Sequence, residues 1–283
     1  MIDPTSSRKR SERPRASRAS AVLAVAAVVV ARVAGAGEAR AACGAATGET
    51  VWVERVVRGD EVVLVDGRRL RFAGVEAPRP PLVAGRDEVS EAVAAEHEAR
   101  AALGDLVEGR ETTFDRVRTD RHGRLVGHLY DTETGQWIEE ALVAAGHLRV
   151  VPVEGERDCV VRLLPSEAEA RAGRRGLWAT ASHAVVPARA EDLLPRVGRF
   201  VVSEGRVRSI GRSGGRIWLN FGDDFRRDFA VVMNDKDLDR FRAAGFDALA
   251  AKGVRVLVRG VVVQRDGPRM TIESPEDIER VEK

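Results

Sequence analysis

The feature that most constrains this chain is a stretch in which apolar residues recur every second position. Val51, Val53 and Val56 lead into Glu61-Val62-Val63-Leu64-Val65, then an Asp66-Gly67 turn, then Leu70-Arg71-Phe72-Ala73-Gly74-Val75. A period of two places alternate side chains on opposite faces of a strand. Two such runs separated by a two-residue Asp-Gly turn specify a hairpin. A helical bundle cannot satisfy that pattern, so the segment requires a sheet.

The period then changes. Residues 88–107 are Ala-rich, with Val89, Val93, Leu103 and Leu106 on one side, and Gly109 follows; this spacing predicts a helix. Residues 111–115 and 124–130 read as strands around a polar turn. Residues 137–145 read as a short helix capped by Gly146, and residues 158–175 as another ended by Gly176. Pro165 is expected to start or kink that last helix. Strands, a helix, strands and two helices make a small α+β, mainly β barrel with helices packed on it.

The stretch 181–196, rich in Ala, Pro and Val and without periodicity, reads as a linker. Beyond it, strands over 199–209, 215–221 and 229–233, a helix over 238–251, and strands over 254–264 and 269–272 follow the plan of an OB fold. A second five-stranded OB-like barrel is therefore expected over 197–283.

Residues 1–41 are different material. Six basic residues between Arg8 and Arg18 precede an apolar run that stops at Arg32, and small residues end the segment at Ala39-Arg40-Ala41. This is the order of a secretory signal peptide. The apolar run is shorter than the roughly 18 residues a spanning helix needs, so no stable membrane insertion is expected after cleavage. Arg40 stands where a lipoprotein motif wants an aliphatic residue, which argues against a lipid on Cys43. The expectation is an exported protein, periplasmic or secreted.

Charge gives little direction. The whole chain is +2, but residues 1–41 carry eight Lys and Arg against three Asp and Glu, so what remains after their removal is −3. Any attraction for a polyanion must come from a local arrangement of arginines. The remaining cysteines, Cys43 and Cys159, either pair in an oxidising compartment or stay as two thiols. No Cys or His spacing suggests zinc.

Several segments resemble the staphylococcal thermonuclease family in order: Gly59-Asp60, the run from Leu70 through Glu76-Ala77-Pro78, the run from Phe114 through Asp120-Arg121-His122-Gly123-Arg124, Glu140-Ala141-Leu142 through Gly146, and Ser166 through Gly176-Leu177-Trp178. Five in register across 50–180 make a specific resemblance. It implies a calcium-dependent nuclease that hydrolyses phosphodiester bonds of DNA or RNA as a monomer. Asp60 then falls on the main metal aspartate and Glu76 on the second metal carboxylate, where the longer side chain changes the reach. Arg71 and Arg124 fall on the two phosphate-binding arginines, whose forked donors suit bidentate phosphate contact. Glu76 joins them in the catalytic set. Arg121 and His122 fill the loop that meets nucleic acid.

One departure matters more than these matches. Where the family carries the glutamate that activates water, this chain has Arg79. Arginine does not accept a proton at ordinary pH, and general-base help is typically worth about 10²–10⁴ in rate. Activity is therefore expected to be weak; Glu61, Glu76, Asp87 and Glu88 are the nearby carboxylates that offer substitutes. In the second domain Arg206, Arg208, Arg212 and Arg216 accompany Trp218, which is out of phase with Ile217 and Leu219 and so is the aromatic expected to face nucleic acid. The rival readings are an inactive nucleic-acid-binding protein and an envelope scaffold.

Overall fold

The computed structural model describes Cys43, residues 48–80 and residues 85–281. The signal peptide expected over 1–41 lies outside them.

The first half runs β1 (Glu49–Arg58), β2 (Glu61–Leu64), β3 (Arg69–Phe72), β4 (Val75–Glu76), α1 (Arg86–Val107), β5 (Glu111–Thr119), β6 (Leu125–Asp131), α2 (Ile138–Ala145), β7 (Arg149–Val150) and α3 (Arg157–Ala172). Five of these strands close into a barrel in the order β1-β2-β3-β6-β5. β3 and β6 are parallel and the other neighbours antiparallel. Val51, Val53 and Val56 are all buried although their spacing breaks from odd to even. A register shift between Val53 and Arg55 absorbs the change, since a bulge inserts one residue and resets the alternation. The β2–β3 hairpin turns over four residues, 65–68, because β2 ends at Leu64 and Val65 is exposed.

α1 lies where its pattern predicts but presents a different face. Ala92, Ala95, Ala99, Leu103, Gly104 and Val107 are buried, while Val93 is exposed and Val89 only half-buried. Alanines let the helix approach closely: a Cβ placed on Gly59 would sit 2.6 Å from the Cβ of Ala99 and 3.2 Å from that of Ala77. α2 ends at Gly146 in the left-handed region (φ 80°), its N–H bonding back to Leu142 and Val143 carbonyls. α3 runs through Pro165 without ending. The proline is on the exposed side, where the carbonyl of Val161 that loses its partner can be hydrated. Cys43 is disulfide-bonded to Cys159 on α3.

A buried ion triad fastens the helices to the barrel. On β6, His128 Nδ1 is 3.1 Å from Glu139 Oε1 on α2, and Nε2 is 3.2 Å from Glu156 Oε2 at the start of α3. Burial disfavours the charged ring, but hydrogen bonds and charge from Glu139 and Glu156 outweigh it and lift its pKa to about 9. His128, Glu156 and Cys159 group closely enough to suggest a metal site. The Cys159 sulfur is committed to the disulfide and both ring nitrogens are engaged, so the group offers no ligand set.

The stretch 181–196, expected as a linker, is instead built into the second half. It carries β8 (Val186–Pro187) and α4 (Ala190–Leu193), and β8 pairs in parallel with β9 (Phe200–Arg206). Val186, Ala188 and Leu193 enter the second core. Elements of two and four residues are too short to display a period, which is why the sequence hid them. The remaining elements are β10 (Ser209–Ser213), β11 (Arg216–Asn220), β12 (Ala230–Asn234), α5 (Leu238–Ala243), β13 (Arg255–Val261), β14 (Val263–Arg265), β15 (Gly267–Thr271) and β16 (Ile278–Arg280). They form sheets ordered β10-β11-β12-β15-β14 and β16-β13-β9-β8. β9 continues into β10 and β13 into β14, each as one bent strand. Counted that way, the five strands repeat the order of the first barrel, with the third again parallel to the fifth (β12 and β15). α5 is shorter than expected because Gly245 (φ 93°) breaks it.

Arg259 on β13 joins the two halves. Its side chain is fully buried; Nη1 donates to Glu167 Oε2 on α3 at 2.7 Å and to the Val150 carbonyl at 3.2 Å, and Nη2 bonds Glu279. Glu167 also accepts the Val150 N–H at 2.7 Å and Arg171 Nη1 at 2.8 Å. Among the described residues no helix is long and apolar enough to cross a membrane.

Two outcomes follow from these ion groups. Arg259→Met leaves the fully buried Glu167 short of a partner, and should lower unfolding free energy by about 3–5 kcal/mol in urea titrations; an unchanged midpoint refutes the assignment. Because the folded-state pKa of His128 is raised, its contribution is full below pH 6.5 and is lost as pH climbs through about 9. Melting temperature should decline across that window, and a flat profile from pH 6 to 10 contradicts the triad.

Candidate functional site

The turn between β1 and β2 carries Asp60, and small residues put it there. With Gly59 packed against Ala77 and Ala99, the backbone passes close to α1, and the Asp60 carbonyl accepts the N–H of Phe72 at 3.0 Å. The carboxylate is buried, with 1% of its side chain exposed. Oδ1 accepts from Arg58 Nε at 3.2 Å. Oδ2 faces Arg71 Nε at 3.6 Å and Arg79 Nη2 at 3.8 Å, beyond hydrogen-bond geometry, and is an orphaned buried oxygen.

Glu76 reaches the same place from β4. That strand pairs with β7, which sets Glu76 directly opposite Arg149. Arg149 Nη2 donates to Glu76 Oε2 at 2.7 Å, and Arg79 Nε pairs with Oε1 at 2.9 Å. Burial raises the Glu76 pKa, yet Arg149, with Arg79 and Arg71, overcomes this and holds the carboxyl below its usual range. Asp60 and Glu76 are thus brought together, and Arg79 spans them.

Arg71 and Arg124 are treated differently. Arg71 opens toward a cleft, whereas both edges of the Arg124 fork are occupied: Nη1 bonds Glu61 Oε2 at 2.9 Å, and Nη2 pairs with Asp120 Oδ2 at 2.7 Å. Desolvation raises the pKa of Asp120, but hydrogen bonds from Arg124 and from the backbone of Arg124 and His122 bring it to about 2. Glu61 stands between the two arginines, paired in register with Arg71 and bonded to Arg124. Arg121 and His122 occupy the exposed turn 120–123, where Arg121 Nε donates to His122 Nε2 at 3.1 Å. Trp218 lies on β11, half-buried with the Arg269 guanidinium 4.9 Å from its ring centroid, and does not line the cleft.

The cleft runs between the barrels. Arg71, Glu76, Arg79, Arg118 and Asp120 line it from one side, Arg149 from β7, and His183, Arg199 and Phe200 from the connecting segment and second barrel. Five guanidinium groups against two carboxylates give it a surplus of three positive charges. Sequence reasoning missed Arg149, 73 residues from its partner Glu76, and His183, which lay in the supposed linker with no motif around it. His183 Nδ1 is 2.8 Å from Ser182 Oγ and 3.3 Å from Thr180 Oγ1. Burial, aided by Arg149 and Arg199, lowers its pKa to about 4. Of the carboxylates expected to substitute for the missing base, Glu61, Glu76 and Glu88 are all paired with arginines, and Asp87 sits exposed on the first turn of α1.

A profile of the family described as staphylococcal nuclease homologue matches residues 69–180. An uncharacterized endonuclease of Escherichia coli is 30% identical over 132 residues, which cover 46% of this chain and 76% of that protein. The chain belongs to the staphylococcal nuclease family. A probable staphylococcal-like nuclease, CAN1, of Oryza sativa subsp. japonica is 30% identical over 122 residues. That match takes in 43% of this chain and 32% of the rice protein, so the chain spans about a third of that relative's length. Matches to these nucleases cover less than half of this chain, and the family profile ends at residue 180, before the second barrel.

The calcium that the resemblance implies does not fit these staphylococcal nuclease residues as they stand. A calcium ion takes six to eight oxygen ligands and favours anionic ones. Asp60 and Glu76 instead face Arg58, Arg71, Arg79 and Arg149, four cations around two anions, and among the described residues the charged groups beside the orphaned Oδ2 are the guanidinium groups of Arg71 and Arg79.

His128 and His183 should titrate at opposite extremes in an NMR titration of the imidazole resonances. His183 is expected to remain neutral at pH 6 and to protonate near pH 4. Since its folded pKa is depressed, stability should be lost as pH falls from 6.5 toward that value. A His183 midpoint near 6.5 would show that it is solvated rather than enclosed in the cleft.

Proposed function

We propose that this chain binds the phosphodiester backbone of DNA or RNA in the cleft between its barrels and hydrolyses it slowly. The observation that carries this reading is the concentration of arginine beside Asp60 and Glu76, in a chain that is net negative once residues 1–41 are set aside. Arg71 and Arg149 present forked donors to a phosphate. Arg124 adds its own only by exchanging a carboxylate contact, since Glu61 and Asp120 hold both its edges. Water activation falls to His183, the neutral acceptor of the cleft; a base with a pKa of about 4 is a weak one, which accounts for a low rate. Export belongs to the same reading, supported by the Cys43–Cys159 disulfide, which persists in oxidising compartments. So does a monomeric state. Binding without hydrolysis is the second reading, favoured by Arg79 at the position of the base.

Cleavage of single-stranded DNA and RNA, followed by electrophoresis, tests both readings. The wild-type chain should release product slowly, and His183→Ala should reduce that rate about 10²-fold or more. In calcium, Arg79→Glu should raise the rate by removing a cation and adding a proton acceptor, whereas Arg79→Gln, which removes the charge but supplies no proton acceptor, should not. Retained binding with no product from any of these proteins establishes the second reading. Fast wild-type cleavage indifferent to either position 79 variant overturns the assignment of roles.

A further inference from the structure

We propose that the Arg79 guanidinium is a built-in cation standing where two carboxylates would otherwise hold a divalent ion, so that the cleft accepts a phosphodiester anion with no metal present. The second clause rests on the phosphate-binding reading above; the first does not.

The geometry begins with Asp60. A carboxylate this buried needs a positive partner, because an unpaired interior charge is strongly disfavoured. Glu76, three residues before Arg79, needs one as well. Arg79 puts one positive charge near both, with Nε on Glu76 at 2.9 Å and Nη2 within ion-pair range of Asp60 Oδ2 at 3.8 Å, too long for a hydrogen bond. Arg58 and Arg149 take the outer oxygen of each carboxylate. The pair is therefore neutralised before any ion arrives, and with Arg71 beside Asp60 the whole group of six side chains, four arginines and two carboxylates, is net positive by two charges. Adding a divalent cation would raise that to four within a barrel mouth.

An anion meets the opposite situation. A guanidinium has five N–H donors in one plane, and Arg79 spends only two of its nitrogens on the carboxylates. Its side chain is 46% exposed and lines the cleft, so the remaining edge faces the space that Arg71 and Arg149 also border. A phosphodiester placed there finds the positive charge that a bound metal supplies elsewhere, now carried by the chain itself. The replacement is local: one residue both removes the need for the cation and blocks its place.

The test uses the full chain in two arms. Calorimetry with calcium chloride alone should show no binding heat for the wild type at millimolar calcium. Arg79→Gln should gain calcium binding, and Arg79→Lys, which keeps the charge, should not. Fluorescence anisotropy of a labelled single-stranded oligodeoxythymidine should give the same affinity within about two-fold in EDTA and in calcium. Thermal melts of the variants confirm that both are folded, as expected for a half-exposed side chain. Calcium binding by the wild type overturns the inference, as does a failure of Arg79→Gln to gain it. An affinity for the oligonucleotide that drops ten-fold or more in EDTA overturns it too. If the oligonucleotide binds in neither buffer, the phosphate-binding reading fails, and with it metal-free anion uptake, while the calorimetric arm still decides the role of Arg79.

Discussion

The architecture depends on one buried cation. Arg259 has no access to water, and an interior charge of that kind is tolerated only when its partners are fixed in place. Those partners lie on both sides of the boundary between barrels: Glu167 and the Val150 carbonyl in the first, Glu279 in the second. Val150 belongs to the two-residue strand β7, whose other residue is Arg149. The second barrel thereby fixes a strand of the first, and that strand fixes the arginine opposite Glu76. Arg149 also donates to the Phe200 carbonyl at 2.9 Å. The C-terminal half is a structural component of the site, although the family profile stops before it.

The site itself inverts what bulk charge suggests. With residues 1–41 removed the chain is acidic, and an acidic surface repels nucleic acid at long range. The cleft concentrates its arginines so that a local field overrides the global one. Most of these arginines are themselves held by carboxylates, as Arg149 is by Glu76 and Arg199 by Glu88, which orients them while leaving fewer donors for a ligand. Such a surface gains in selectivity for a well-placed anion and gains little in nonspecific attraction.

How much of this was legible in the sequence varies with distance along the chain. The hairpin from Val51 to Phe72, the Gly146 cap and the placement of α1 follow from local periods and single-residue preferences, and the structure has them. The inward face of α1 was misread because Val89 and Val93 outrank alanine in hydropathy, whereas close approach to Gly59 rewards the smaller side chain. Asp60, Arg71 and Glu76 were recognisable by resemblance. Arg58 and Arg149 were not, since their importance comes from contacts with those residues, one across a turn and one across a pair of two-residue strands. His183 carried no signal, because a histidine in an aperiodic stretch looks the same whether it is solvated or enclosed between two domains.

The disulfide between Cys43 and Cys159 spans 116 residues of sequence and so encircles most of the first barrel. Every surface turn of that barrel between the two cysteines, including the exposed turn at 121–123, lies inside the covalent loop. A protease that cuts there opens a ring rather than severing a chain. The two pieces remain one molecule, tethered through α3, with the strands of the barrel still paired. In a surrounding rich in peptidases, a cut in such a turn leaves both pieces covalently joined, so the site can loosen without its halves separating.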